Sequence, residues 1–165
     1  MIVFDASSLL NLHNGGLVPT VLALPSLRLA YGPLVRQECR SIGPALDTLV
    51  AKGSAELLTD DDVPFARFAD LSREYQLGPG ETECLVLGEA LGCSVCCDDL
   101  RARKMIIKEI GNDRLTGTIG LIQAAVMEGL ITEEQARSAH SKMIASGAFL
   151  PPLSLGAQTT NVTAR

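Results

Sequence analysis

Short apolar runs alternate with segments of helical periodicity along most of this chain. The run at residues 1–5 (Met-Ile-Val-Phe-Asp) predicts a first strand that ends at an aspartate and leads directly into a helix. Further apolar runs predict strands at 27–31, 55–58, 94–97 and 114–116. Strands that alternate with helices are typical of a mainly parallel sheet covered on both faces, so the pattern predicts an α/β fold with three α/β/α layers.

Glycine, proline and capping residues set the limits of the predicted helices. These helices cover residues 6–14, 17–23, 33–38, 42–52, 63–75, 80–91, 100–110, 117–129 and 133–145. The acidic run at 59–62 is expected to cap the helix at 63–75, and Thr132 with Gln135 forms a capping-box pattern. We predict one domain at residues 1–150 and a loosely attached or disordered tail at 151–165.

The composition is that of an ordinary globular protein, with 165 residues, 47% apolar and 20% charged. The five cysteines are an odd number and three of them crowd residues 93–97, so free thiols are expected rather than a disulfide framework. The chain shows neither a signal-peptide pattern nor a membrane-length apolar run, which predicts a cytoplasmic protein that does not contact membranes. A net charge of −5 means that nucleic acid would need a local basic patch or a bound metal.

Carboxylates occur where chemistry is expected in an open α/β sheet, beyond the carboxyl ends of the strands. The candidates are Asp5, Glu38, Glu81, Glu83, Asp98 and Asp99. Each could instead serve as a local helix cap. If they converge, their mutual repulsion requires a cation, and oxygen ligands of this kind suit Mg²⁺ or Mn²⁺. Such sites activate water for attack on a phosphodiester.

Five motifs in this order resemble the PIN-domain family over roughly residues 1–130. They are Val-Phe-Asp-Ala-Ser-Ser-Leu-Leu at 3–10, Pro-Leu-Val-Arg-Gln-Glu at 33–38, Gly-Glu-Thr-Glu-Cys-Leu-Val-Leu-Gly at 80–88, Cys-Asp-Asp-Leu-Arg-Ala-Arg at 97–103 and Leu-Thr-Gly-Thr-Ile-Gly at 115–120. The last three are similar to the Gly-Glu-x-Glu, Asp-Asp-x-x-Ala-Arg and Thr-Gly-Thr-x-Gly segments of a prokaryotic, VapC-like subgroup. The third is also similar to the Glu-x-Glu of flap endonucleases.

This resemblance implies a PIN-like fold and a set of site residues. It implies that the catalytic positions are Asp5, Glu38, Glu81 and Asp99. The implied metal ligands are Asp5, Glu81, Glu83, Asp98 and Asp99, with the choice within each adjacent pair left open. Ser7 and Thr116 are expected to orient these carboxylates through their hydroxyl groups. Residues two apart on a helix point about 200° apart, so if both Glu81 and Glu83 act, one of them reaches the ion through water or from an irregular first turn. Glu81 is the first choice of the two.

The implied function is an Mg²⁺- or Mn²⁺-dependent endoribonuclease, as in the toxins of VapBC-type toxin–antitoxin pairs. Such toxins imply an RNA substrate, a homodimer and an antitoxin protein that blocks the site. Many family members have aspartate at the third acidic position, where this chain has glutamate. A catalytically silent PIN fold that binds RNA or protein is the alternative.

Basic residues at helical spacing follow the Asp-Asp pair. Arg101, Lys104 and Lys108 share one helix face, and Arg101 and Lys104 are the candidates for contact with RNA phosphates. A solvated helix face explains the same pattern. Aromatic residues make up only 4% of the chain, which leaves little for stacking on bases.

Two other readings of the sequence are weaker. Structural zinc needs four ligands, whereas this chain has one Cys-x-x-Cys and two histidines, so the cysteines at 93–97 are better explained as small buried strand residues. A haloacid-dehalogenase-type phosphatase would need an aspartate two residues after Asp5, where Ser7 stands.

Overall fold

The computed structural model describes residues 1–155, which form one parallel sheet flanked by helices. The strands are β1 (Ile2–Phe4), β2 (Leu29–Tyr31), β3 (Ala55–Leu57), β4 (Ser94–Cys96) and β5 (Leu115–Thr116). Their order across the sheet is β3-β2-β1-β4-β5, and every neighbouring pair is parallel. The predicted α/β fold with a parallel sheet is confirmed.

The helices follow the predicted limits to within about two residues. They are α1 (Ala6–Asn14), α2 (Val18–Leu22), α3 (Pro33–Glu38), α4 (Gly43–Ala51), α5 (Phe65–Tyr75), α6 (Pro79–Ala90), α7 (Leu100–Ile110), α8 (Thr118–Met127) and α9 (Glu133–Ala145). Short 3₁₀ turns occur at Arg40–Ile42, Asp60–Asp62 and Asn112–Arg114. The capping box of Thr132 and Gln135 at the start of α9 is present as expected.

The acidic run at 59–62 does not cap the helix that follows it, and that prediction was wrong. The Asp62 carboxylate accepts hydrogen bonds from the backbone N–H of Thr59 at 2.8 Å and from its hydroxyl at 2.9 Å. These bonds close a separate 3₁₀ turn, and α5 begins only at Phe65, after Pro64. The acids therefore stabilise their own turn rather than the first turn of α5.

The direction in which strands are added reverses between β1 and β4. From β1 the chain adds β2 and β3 on one side, and it then crosses over to add β4 and β5 on the other. Because crossover connections are right-handed, this reversal places the connecting helices on opposite faces of the sheet. Helix α6 packs on β1, β4, α5 and α7, and α1 packs on α2, α8 and α9. Helix α3 contacts both α1 and α6.

The predicted tail begins with a segment that packs against the domain. Residues 151–155 lack helix and strand, but Leu153 and Leu155 are partly buried against the core, and the Ser154 carbonyl accepts a hydrogen bond from Gln123 at 2.7 Å. The rest of the predicted tail, 156–165, lies outside the described residues, so its loose attachment stays a prediction. In residues 1–155, no helix is both long and apolar enough to cross a membrane.

Candidate functional site

The reversal of strand order brings two predicted site residues to the same edge of the sheet. β1 and β4 are hydrogen-bonded neighbours, and the backbone N–H of Asp5 donates to the carbonyl of Cys96 at 3.0 Å. Asp98 follows β4 after one further residue. In an open α/β sheet a crevice forms at such a switch point, because the chain leaves the two strands toward opposite faces.

Asp5 is a buried carboxylate that begins α1. Its Oδ1 accepts from the backbone N–H of Ser8 at 2.7 Å, and its Oδ2 accepts from the Ser7 hydroxyl at 2.8 Å. The Ser7 contact is the one expected from the sequence. Only 2% of Asp5 is exposed, and burial raises its pKa. The contacts that oppose this rise in pKa are neutral hydrogen bonds, such as those from Ser7 and Ser8, rather than a nearby lysine or arginine.

Asp98 connects α1 to the start of α8. Its Oδ2 accepts from the Asn11 side-chain amide at 2.9 Å and from the Thr118 hydroxyl at 2.5 Å. Its Oδ1 accepts from the backbone N–H of Thr118 at 2.8 Å. The hydroxyl that orients this carboxylate therefore belongs to Thr118, not to Thr116 as the sequence suggested. Thr116 contributes its backbone carbonyl, which accepts from Arg103 at 2.7 Å.

Because the Thr118 hydroxyl orients Asp98 and Thr116 contributes its backbone carbonyl, we expect the valine variants of these two residues to differ in activity. Thr118→Val is expected to lower the metal-dependent RNA cleavage that the family resemblance implies by about 10- to 100-fold, because it removes the hydroxyl that orients Asp98. Thr116→Val is the matched control on β5, and we expect it to keep activity within about twofold. Initial rates under identical metal concentrations measure both, and equal loss in both variants would contradict the assignment to Thr118.

Asp99 is an exposed helix cap with one carboxylate oxygen left over. Its Oδ1 accepts from the backbone N–H groups of Arg101 and Ala102, both at 2.8 Å, at the start of α7. Its Oδ2 has no hydrogen-bond partner among the described residues. Asp99 can therefore cap the helix and offer an oxygen to a cation at the same time.

Glu81 lies within the negative field of the other acids. Its Oε2 accepts from the backbone N–H of Gly78 at 2.9 Å, which caps α6. Burial raises its pKa, and the nearby charges of Asp99, Asp5 and Glu38 raise it further. These three acids, distant in the sequence, are thus near enough for their charges to act on Glu81. Their convergence on one metal ion stays a prediction.

Glu83 has a different environment from Glu81. It is 1% exposed, and its two oxygens accept from the backbone N–H groups of Leu34 and Val35, each at 3.0 Å. These N–H groups belong to the first turn of α3, where an anion is favoured. Glu83 also lines a different pocket, beside Leu34 and Asp60, from the one that Glu81 lines with Asp98 and Asp99. Its contacts with α3 therefore give Glu83 a structural role, and the geometry does not favour it as a metal ligand.

Glu38 completes a reciprocal contact between α3 and α6. Its Oε1 accepts from the backbone N–H of Gly80 at 3.0 Å, while Glu83 from α6 caps the start of α3. A Cβ at position 80 would lie 2.7–2.9 Å from the Glu38 carboxylate, so a larger residue there would displace this carboxylate from its contact with the Gly80 N–H. The first glycine and the last glutamate of the Gly-Glu-x-Glu motif thus hold two helices together, and Glu81 between them remains available to the site.

A cavity of about 620 Å³ collects the remaining carboxylates. Glu81, Asp98 and Asp99 line it together with Ser7, whose hydroxyl reaches Asp5. Its described lining contains no lysine, arginine or histidine, so nothing there neutralises the three acids. Oxygen donors of this kind suit Mg²⁺ or Mn²⁺.

The carboxylates share this cavity without forming a compact cluster. In the part of the chain that the structure describes, no group of three or more His, Cys, Asp or Glu side chains is close enough together to hold a metal ion. Each acid instead caps a helix or accepts from a neighbouring side chain. The oxygen donors are thus of the kind that a divalent metal prefers, but in residues 1–155 they do not form a ready-made binding group.

The predicted phosphate-binding face of α7 is partly engaged in internal contacts. Arg101 donates to the Tyr75 carbonyl at 2.8 Å, and Lys108 donates to Glu74 at 3.1 Å and to the Tyr75 hydroxyl at 2.7 Å. Lys104 is exposed. Of the two predicted phosphate contacts, Arg101 makes one of these internal hydrogen bonds, whereas Lys104 makes none of them.

The cysteines near the site lie in and beside β4. Cys96 and Cys97 are buried free thiols, in keeping with their interpretation as small strand residues. Burial raises the pKa of both thiols, so both remain protonated at neutral pH.

The sequence reasoning missed Asn11 and Thr118. Asn11 is a polar residue on the buried face of α1, one helical turn after Ser7, which is a weak signal for a buried partner. Thr118 is the second threonine of the quoted Thr-Gly-Thr segment. Which threonine faces the carboxylate depends on where α8 begins, and sequence patterns locate helix starts only to within one or two residues.

Comparison with known proteins supports the fold described above. A family model described as a PIN domain matches residues 1–159. No curated protein and no solved structure gives a significant match. The VapC-like subgroup stays a prediction. PIN domains are generally nucleases that use divalent metals. On the extent of this match and on its five-stranded parallel sheet with acids at the carboxyl edge, this chain belongs to the PIN-domain family.

Proposed function

We propose that this PIN domain is a divalent-metal-dependent endoribonuclease. The observation that carries the proposal is the cavity at the β1/β4 edge, which three carboxylates line without a neutralising basic residue in its described lining. Like charges that line one cavity repel one another unless a cation is present, and for Glu81 the nearby charges of Asp99, Asp5 and Glu38 add to burial in raising its pKa.

Each residue of the site has a definite task in this proposal. Asp5, Glu81 and Asp99 would hold Mg²⁺ or Mn²⁺, and Asp98 would face the same ion in the orientation set by Asn11 and Thr118. When bound, the metal would activate water and neutralise the charge of the scissile phosphate. The Ser7 hydroxyl orients Asp5 through its hydrogen bond at 2.8 Å. Glu38 acts from outside the cavity, through its charge on Glu81 and its contact with α6.

The proposed biological setting is that of a toxin. Support comes from the likeness of three motifs to the VapC-like subgroup, which also suggests a homodimer and an antitoxin protein that covers the site. RNA as the substrate rests on the same likeness, with Lys104 as the proposed contact to the phosphate backbone.

A silent PIN fold that binds RNA or protein is the second candidate. The observation that favours it is the lack of a compact acidic cluster within residues 1–155, since each carboxylate already has a local partner. The two candidates differ in one measurable property. A site that binds metal stabilises the folded protein by mass action, whereas a silent fold gains nothing from metal.

Metal titration of thermal unfolding is the direct test. At a Mn²⁺ concentration of about 100 times Kd, the wild type is expected to gain about 2.7 kcal/mol, or a rise in Tm of roughly 5–10 °C. Asp5→Asn should lose most of this gain, and Asp61→Asn, an exposed aspartate remote from the cavity lining, should keep it. A wild type whose Tm does not respond to Mn²⁺ or Mg²⁺ would favour the silent fold.

A further inference from the structure

An exposed phenylalanine stands at the cavity that holds the acids. Phe149 is 88% exposed, although the residues on either side of it, Ala148 and Leu150, pack against the core. The turn before it is ordered: Gly147 adopts a positive φ of 94°, and the Ala148 N–H donates to the carbonyl of the buried Met143 at 3.0 Å. The backbone is thus held at the end of α9 while the ring faces solvent, and this arrangement forgoes the stabilisation that burial of the ring would bring.

The lining around Phe149 combines apolar surface with hydrogen-bonding groups, and a nucleotide needs both. Leu10 and the 62% exposed Leu100 add apolar surface, and Asn14 adds an amide that can both donate and accept hydrogen bonds. The three acids belong to the same lining. A cavity of about 620 Å³ lies within the range of roughly 300–1,000 Å³ that is usual for small-ligand sites.

We propose that Phe149 stacks on the base of one unpaired nucleotide whose phosphate lies at the acidic part of the cavity. This inference rests on the proposed metal-dependent nuclease function, because without a cation three carboxylates would repel a phosphate. It makes the substrate class single-stranded RNA. A base in a duplex already stacks on both of its neighbours, whereas an unpaired base has a face free for the ring.

Phe149 offers RNA a contact that does not depend on positive charge. The cavity lining contains no lysine or arginine among its described residues, so the affinity for RNA cannot come from basic side chains there. Stacking on an aromatic ring is independent of charge and tolerant of sequence. Metal at one part of the cavity and an aromatic ring at the other would therefore fix a nucleotide at two points.

The first test measures binding without relying on cleavage. The chain has no tryptophan, so Phe149→Trp introduces a single fluorescent reporter. Phe65→Trp is the matched control, because Phe65 is 81% exposed and lies outside the lining of this cavity. In buffer that contains Ca²⁺, a single-stranded RNA of about six nucleotides is expected to quench the fluorescence of the tryptophan at position 149. The same RNA concentrations should leave the fluorescence of the tryptophan at position 65 unchanged.

The second test measures the contribution of the ring to turnover. With a short single-stranded RNA substrate in Mg²⁺, Phe149→Ala is expected to raise KM about 5- to 100-fold with a smaller change in kcat. Phe149→Tyr keeps a stacking ring and should restore KM to near the wild-type value, and Phe65→Ala should leave it unchanged.

The outcomes separate this inference from the proposed function. Selective quenching at 149 without cleavage by the wild type would refute the nuclease and keep the nucleotide subsite. Cleavage by the wild type with an unchanged KM in Phe149→Ala would keep the nuclease and refute the subsite. Equal quenching at both positions, or equal quenching by a duplex of the same sequence, would overturn the inference as well. Gel filtration gives one more contrary outcome. If Phe149→Ala elutes as a smaller species than the wild type and Phe65→Ala do, the ring of Phe149 is covered by a second copy of the chain in the wild type, and the inference is overturned.

Discussion

Asp5→Asn is expected to abolish RNA cleavage while the domain remains folded. Removal of a direct metal ligand should lower the rate at least about 100-fold, because removal of a residue that only hydrogen-bonds to a ligand already lowers activity by up to about 100-fold. Asparagine keeps the oxygen that accepts from the Ser8 N–H, so the cap of α1 survives. Cleavage of labelled RNA in Mg²⁺ gives the rate, and circular dichroism confirms the fold.

The same substitution is expected to stabilise the metal-free protein. Burial raises the pKa of Asp5 above its ordinary value of 3.8, so the folded state disfavours the ionised form. The contribution of the wild-type carboxyl to stability is therefore largest when it is protonated, and it is lost as pH rises through the folded-state pKa. Asparagine carries no such penalty, so the Tm advantage of the variant should grow as pH rises above the ordinary pKa of 3.8 and become constant above the folded-state pKa.

Loss of activity together with a gain in stability is the signature that distinguishes a functional carboxylate from a structural one. Asp99→Asn should also abolish cleavage, since it removes a second ligand. Asp61→Asn should change neither property, because Asp61 is exposed and lies away from the cavity lining. Unchanged cleavage in Asp5→Asn would discard the proposed mechanism, and a lower Tm in metal-free buffer would contradict the role assigned to burial.

Glu83→Ala is expected to destabilise the domain by about 2–5 kcal/mol. The substitution leaves the N–H groups of Leu34 and Val35 without their acceptor, in a region that is partly or fully buried. Each such group costs roughly 1–3 kcal/mol when its partner is removed. Urea unfolding at neutral pH measures the effect, which should appear as a lower midpoint with an unchanged m-value.

Two controls make this prediction specific. Glu128→Ala removes an exposed glutamate at the end of α8 and should stay within about 0.5 kcal/mol of the wild type. Glu83→Gln keeps one acceptor oxygen and should fall between the wild type and Glu83→Ala. If the activity of Glu83→Gln disappears while its stability matches the wild type, Glu83 would be a metal ligand after all.

The motifs singled out the acids as a group but could not separate the environments of its members. Glu81 and Glu83 look equivalent in a Gly-Glu-x-Glu segment, yet one caps its own helix beside the cavity and the other caps α3. The helical spacing predicted that they point apart. It could not show which of them faces the site, because that depends on where α3 packs against α6.

Polar partners were harder to predict than the acids themselves. Thr116 and Thr118 lie two residues apart, and the end of β5 with the start of α8 decides which hydroxyl meets Asp98. Phe149 gave no signal in the sequence, since its exposure and its place in the cavity depend on the turn that ends α9. The acidic run at 59–62 was assigned to the wrong element because Pro64 delays the helix.

The sequence by itself determined the fold class, the approximate limits of the elements and the residue types available for chemistry, because hydrophobic periodicity, caps and breakers act over a few residues. Tertiary structure alone decided the order of the strands. Only that order makes β1 and β4 neighbours and turns their carboxyl ends into one crevice. Strand order results from packing between segments far apart in the chain, and no local pattern records it.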